Sequence, residues 1–158
     1  MRSRRKKKAG TLTESKHSKA ALALMVFHQE QAQKLEAEEF YFMAAVSLGA
    51  ALETALLCFY MVEWDAAHGE TQIPDDVSLD DLILVAQKFD LLNAVKFLDG
   101  TNTHPVETVI REIQSMRNNL HPAKALRTSF NPASFDAAQY QRLSGIYSAV
   151  IDNLLHHI

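Results

Sequence analysis

Between Arg111 and Arg127 the chain reads Arg-Glu-Ile-Gln-Ser-Met-Arg-Asn-Asn-Leu-His-Pro-Ala-Lys-Ala-Leu-Arg, and here the residue types and their spacing could do chemistry. Arg117 stands four residues after Ile113 and four before His121, so the three stack on one face of a helix. A fixed guanidinium stabilises the charge that develops when a phosphodiester is attacked by its own 2′-hydroxyl. An imidazole titrating near neutrality moves the proton, and the reaction needs no metal. Pro122 disfavours helical geometry at His121 and marks a helix end, where free carbonyls and the helix dipole favour a protonated imidazole. Arg117, Asn118 and His121 are therefore the candidate catalytic set. A structural alternative uses the same residues: Arg117 pairs with a buried Glu53, Asn118 and His121 satisfy carbonyls at the helix end, and nothing reacts.

The helix that must present this set is announced by Val106, Val109, Ile110, Ile113, Met116 and Leu120, apolar at intervals of three and four, with Pro105 at its first turn. Upstream, Ala21, Leu24, Met25, His28, Ala32 and Leu35 predict an amphipathic helix from about Ser18 to Leu35. An unbroken helix from Ser18 to Trp64 would be roughly 70 Å long, too long for a domain of this size, so a break falls near Glu36 to Glu39, whose carboxylates suit the start of a second helix. That second helix, about Glu39 to Asp65, holds the most apolar run in the chain. It is read as the core helix and not as a membrane span, because Glu53 sits in its middle and small residues at Ala45, Gly49 and Ala50 suit close packing. Glu53 then needs a cation, and Arg117 and Arg111 are the candidates.

His68 to Val77 is a loop by composition, and Ser78 caps a short helix with Asp80 and Asp81 in its first turn and Leu79, Leu82, Ile83, Ala86 and Phe89 on its buried stripe. Leu92 to Leu98 add one or two helical turns, and residues 99–103 form a turn-rich connector. Pro122 to Pro132 is an irregular segment carrying Lys124 and Arg127. Asn131-Pro132 opens a last helix whose apolar face is Phe135, Ala138, Leu143, Ile146, Val150, Leu154 and Leu155. No strand-length alternation or repeat is present. The fold class is all-α: an up-and-down helical bundle of four long helices plus one or two short ones.

At 158 residues, one domain is the expected count. Six of the 16 basic side chains lie in the first eight positions, leaving ten against nineteen acidic ones, a net of −9, in the rest. Residues 1–15 are read as a disordered basic tail able to hold phosphates without reading sequence, and residues 16–158 as the bundle domain. The acidic body disfavours a broad electropositive groove. One cysteine, Cys58, and no secretory leader predict a cytoplasmic protein, and seven scattered histidines without a second cysteine predict no metal centre and no cofactor.

The order of features resembles the HEPN superfamily of small helical bundles, in particular its uncharacterised bacterial members. The matching pieces are Ala-Val-Ser-Leu-Gly-Ala-Ala-Leu-Glu53-Thr-Ala-Leu-Leu, then Leu79-Asp-Asp-Leu-Ile83-x-x-Ala86, then Met116-Arg117-Asn118-Asn119-Leu-His121-Pro122-x-Lys124-x-x-Arg127. The resemblance implies a metal-independent endoribonuclease of the toxin or phage-defence kind, built as a homodimer with two sites face to face. Arg117 would hold the scissile phosphate, Asn118 orient it, His121 transfer the proton, and Lys124 and Arg127 bind the substrate, with Glu53 and Arg111 in support. Three residues separate Arg117 from His121 here, fewer than the family's usual gap. The resemblance also admits a non-catalytic module that dimerises or binds a nucleotide, an antitoxin or another protein partner. A third reading makes the domain an RNA accessory protein whose basic tail supplies the affinity.

Overall fold

The computed structural model describes residues 15–88, residues 122–155 apart from position 130, and between them Phe97, Leu98, Thr103, His104, Arg111, Ser115 and Asn118. The described chain is all-helical in character. Its helices are α1 (Lys16–Ala37), α2 (Tyr41–His68), α3 (Leu79–Lys88), α4 (Pro122–Thr128) and α5 (Ala137–Leu155). Phe97 and Leu98 pair antiparallel with His104 and Thr103, the one extended pairing among the described residues.

α1 and α2 form a long antiparallel hairpin, and the break between them falls where helix length demanded it. The reversal is a Schellman turn. The Phe40 amide donates to the Leu35 carbonyl at 2.8 Å and the Glu39 amide to the Glu36 carbonyl at 2.9 Å, with Glu39 in the left-handed region at φ 62°. The carboxylates of this stretch do not serve the start of α2, as the sequence suggested. The first turn of α2 has no acidic residue and Phe40 offers no side-chain cap, because Glu38 and Glu39 are consumed by the reversal itself. Glu36 instead accepts from the Gln141 amide at 3.0 Å and so ties α1 to α5. A glutamate in left-handed geometry is strained and a glycine is not. Glu39→Gly should therefore raise stability by about 1 kcal/mol in urea unfolding, a sign opposite to that of most glycine substitutions.

α2 is the core helix. Leu48, Ala51, Leu52, Ala55, Leu56, Cys58 and Phe59 are all buried, and α1, α3 and α5 each pack against it. By length and composition α2 could cross a membrane, but most of its apolar window is buried inside the protein. Burial pushes the Cys58 thiol up to about 12, despite a backbone hydrogen bond that acts the other way.

α3 forms as its sequence predicts. The Ser78 hydroxyl accepts from the Asp81 amide at 3.2 Å while the Asp81 carboxylate accepts from the Ser78 amide at 2.9 Å, a reciprocal cap. Leu79, Leu82, Ile83 and Ala86 are its buried face; Phe89 lies outside the described residues.

Further expectations need correction. Pro122–Thr128 is helical, not irregular: proline is favoured at a first helical position and Ala-Lys-Ala-Leu-Arg are strong helix formers. Phe97 and Leu98 are extended, not helical. The last helix begins at Ala137, after a single 3-10 turn at Pro132–Ser134 capped by Asn131. Asp136 caps it, accepting from the Gln139 amide at 2.9 Å while the Gln139 side chain accepts from the Asp136 amide at 3.0 Å. Among its described side chains Tyr140, Leu143, Tyr147 and Ile151 are buried and Ala138 is exposed, so of the face read in the sequence Leu143 holds and Ala138 does not, while the side chains of Ile146, Val150, Leu154 and Leu155 lie outside the described residues. Phe135 packs its edge on Phe42 ahead of the helix, with ring centroids 6.0 Å apart.

Candidate functional site

Of the candidate catalytic set, Arg117 and His121 lie outside the described residues. Asn118 is helical and half-buried, and Ser115 and Arg111, one and two turns earlier, are helical as well. Arg111 donates from Nη2 to Asp80 Oδ1 at 2.7 Å, a largely exposed ion pair that ties this segment to the first turn of α3. Such a pair contributes little energy but fixes where the segment sits. Glu53, half-buried on α2, lines a cavity together with His28 and Thr54.

Lys124 and Arg127 stand three residues apart on α4, hence on one face, and both are exposed. Neither forms an ion pair among the described residues. The sequence placed them in a loop. The structure places them on a helix that begins one residue after His121, so their spacing is held by hydrogen bonds within the turn.

One cluster was missed. The Asp65 carboxylate, buried at the end of α2, accepts the Ser15 hydroxyl, lies 2.6 Å from His17 Nδ1, and accepts the His17 backbone amide at 3.4 Å. Ser15 is also the N-cap of α1, its oxygen accepting from the Ser18 amide at 3.2 Å. Beside it the Lys16 amide donates to Glu70 at 2.9 Å. Desolvation pushes the Asp65 carboxyl up, but the hydrogen bonds from Ser15 and His17 outweigh it and hold the group below its ordinary 3.8. Serine, histidine and aspartate are the residue types of a nucleophilic triad, but the connectivity is wrong for one. The serine hydroxyl donates to the carboxylate and not to the imidazole, so the histidine does not stand between them as the general base a triad needs. This is a clasp: the open amides at the start of α1 are satisfied by carboxylates from the far end of the hairpin.

Next to the clasp, Trp64 stacks on His68 with centroids 3.9 Å apart, and the indole N–H donates to the Gln72 carbonyl at 2.8 Å, pinning the loop that follows α2. Among the described residues no group of three or more histidine, cysteine, aspartate or glutamate side chains could hold a metal ion.

These pieces define a helical domain organised on a clasped hairpin. No family model, curated protein or solved structure is matched by the chain.

Proposed function

We propose that the chain is a bundle of four long helices, of the HEPN kind, that binds RNA and cleaves it without a metal, acting as a cytoplasmic homodimer. The observation that carries the reading is the pair of exposed cations, Lys124 and Arg127, on the face of a helix that follows the Arg117-Asn118-x-x-His121 motif directly. The helical state of Arg111, Ser115 and Asn118 supports the fourth long helix. In the reaction, Arg117 holds the non-bridging phosphate oxygens and Asn118 orients them. His121 takes the proton of the 2′-hydroxyl as its oxygen bonds to phosphorus, and the 5′-oxygen leaves with a proton supplied by the second copy's imidazole. Lys124 and Arg127 hold flanking phosphates.

Labelled RNA incubated in EDTA with wild type, Arg117→Ala and His121→Ala tests this. Only wild type should cut, with losses of about a hundredfold or more in each variant and melting temperatures unchanged. Cleavage that survives in His121→Ala ends the proposal.

A second reading, a non-catalytic module that dimerises or binds a nucleotide, an antitoxin or another protein, draws on Leu24 and Phe27. These are 49% and 52% exposed and one turn apart on α1, as a contact face between protomers would require. It predicts RNA or nucleotide binding, weakened by Arg117→Ala, with no turnover in any variant.

A further inference from the structure

The far end of α2 carries a ladder of rings. Tyr60, Trp64 and His68 recur every four residues and so share one face of the helix. Tyr60 packs against the core, the indole lies 6.3 Å from its ring at 17° from parallel, and the imidazole stacks on the indole at 3.9 Å and 18°. The ladder climbs from core to solvent, with Tyr60 and Trp64 half-buried and His68 exposed. Two hydrogen bonds fix the outer rings: the indole N–H donates to the Gln72 carbonyl at 2.8 Å, and His68 Nδ1 lies 3.2 Å from the Trp64 carbonyl. With one face on the indole, the exposed imidazole offers its other face to a flat ligand.

The clasp anchors a second feature at this end of the hairpin. Residues 1–14 lie outside the described residues, but the chain enters the fold at Ser15, whose hydroxyl donates to Asp65. Six of the first eight residues are lysine or arginine, and Lys8 is seven positions before Ser15. Whatever path the chain takes, that lysine stands within roughly 25 Å of the anchor. The carboxylates nearest the ladder in sequence are already engaged: Glu63 pairs with Lys88 at 2.7 Å, Asp65 is held in the clasp, and Glu70 accepts the Lys16 amide at 2.9 Å. Their repulsion of an anionic ligand is blunted accordingly.

A fixed ring at the solvent edge and a tethered run of cations suit different parts of one ligand. The cations gain from phosphates by releasing counterions, whatever the sequence. The ring face gains from an unpaired base, because the bases of a duplex are already stacked on one another. We propose that the clasped end of the hairpin is a binding site for single-stranded nucleic acid, with a base stacked on His68 and neighbouring phosphates held by the basic tail. The site uses neither Arg117 nor His121 and stands if RNA cleavage fails.

Single-stranded oligodeoxythymidine of about twelve nucleotides separates this binding from cleavage, since without a 2′-hydroxyl it cannot undergo the reaction proposed above. Trp64 is the chain's only tryptophan, so a base joining the ladder is read directly in its fluorescence. Titrated against the full chain at pH 7, the oligonucleotide should quench the indole, and inorganic polyphosphate, which has the charge without the bases, should not. In anisotropy of the labelled oligonucleotide, His68→Ala should weaken binding about tenfold and His68→Tyr, which keeps a ring there, should restore it. Both should melt with wild type, because the side chain is exposed. Deleting residues 1–8 should also weaken binding and flatten its log–log dependence on salt by up to about four. Equally tight binding of the same oligonucleotide paired into a duplex overturns the proposal. So does no binding by wild type, full affinity in His68→Ala or in the truncated chain, or equal quenching by polyphosphate.

Discussion

Asp65→Ala should lower the unfolding free energy by about 3 kcal/mol, measured by urea at pH 7. The carboxylate is the shared acceptor for the Ser15 hydroxyl, the His17 ring and the His17 amide. It is nearly buried, with 5% of its side chain exposed. Removing it leaves three donors with no acceptor, and that desolvation penalty, more than the lost attraction, sets the size of the effect. The contribution has a definite pH dependence. The folded carboxyl lies below its ordinary 3.8, so the unfolded state binds the proton more readily. The stabilisation is fully present above the unfolded value and disappears as pH falls through the folded one. The gap between wild type and Asp65→Ala should thus be constant from neutral pH down to roughly pH 5 and narrow toward pH 2. A gap of unchanged size in strong acid would mean that the carboxylate's charge is irrelevant to the clasp.

Leu52→Ala should cost about 3 kcal/mol. Leu52 is 1% exposed on the helix that α1, α3 and α5 all cover, and its neighbours in the core are largely alanine, leucine and aromatic side chains carried on long helices. Such helices cannot close around a missing isobutyl group without moving the whole hairpin, so a cavity remains. Leu126→Ala is the matched control. That leucine is 81% exposed on α4, and its loss should leave the urea midpoint in place. A Leu52→Ala midpoint indistinguishable from the control would mean that α2 is not the centre of the core.

How much of this was legible in the chain depends on how local each feature is. The α3 cap and stripe lie within about three turns of sequence, and Ser78, Asp81, Leu82 and Ala86 all took the places their types dictate. The α1–α2 break was legible from length alone, although the left-handed Glu39 was not, since glutamate carries no turn signal. α4 was misread because Pro122 was weighed as a terminator and not also as a first residue. On α5 the face was assigned by aliphatic residues, while Tyr140 and Tyr147, amphipathic in type, took the core; burial raises the Tyr140 hydroxyl to about 12, with Glu36 beside it adding to the shift. The clasp joins residues fifty apart, which no local pattern reports. Its one signal was symmetry, because Ser15 and Asp65 lie at nearly equal distances along the chain from the Glu39 turn. As for the candidate catalytic set, the sequence supplied Arg117 and His121, and the structure added that Asn118 is helical and that Lys124 and Arg127 are held on a helix of their own.

The Glu39 turn and the Ser15–Asp65 clasp are opposite ends of one hairpin, and this sets an order of events. Contacts beside the turn close the shortest loops and can form first; those at the clasp close the longest and form last. On folding, the hairpin should zip outward from Glu39, and in the native state it should open from the other end, so amide exchange at Lys16 and Ser18 should be faster than at Leu48 and Leu52.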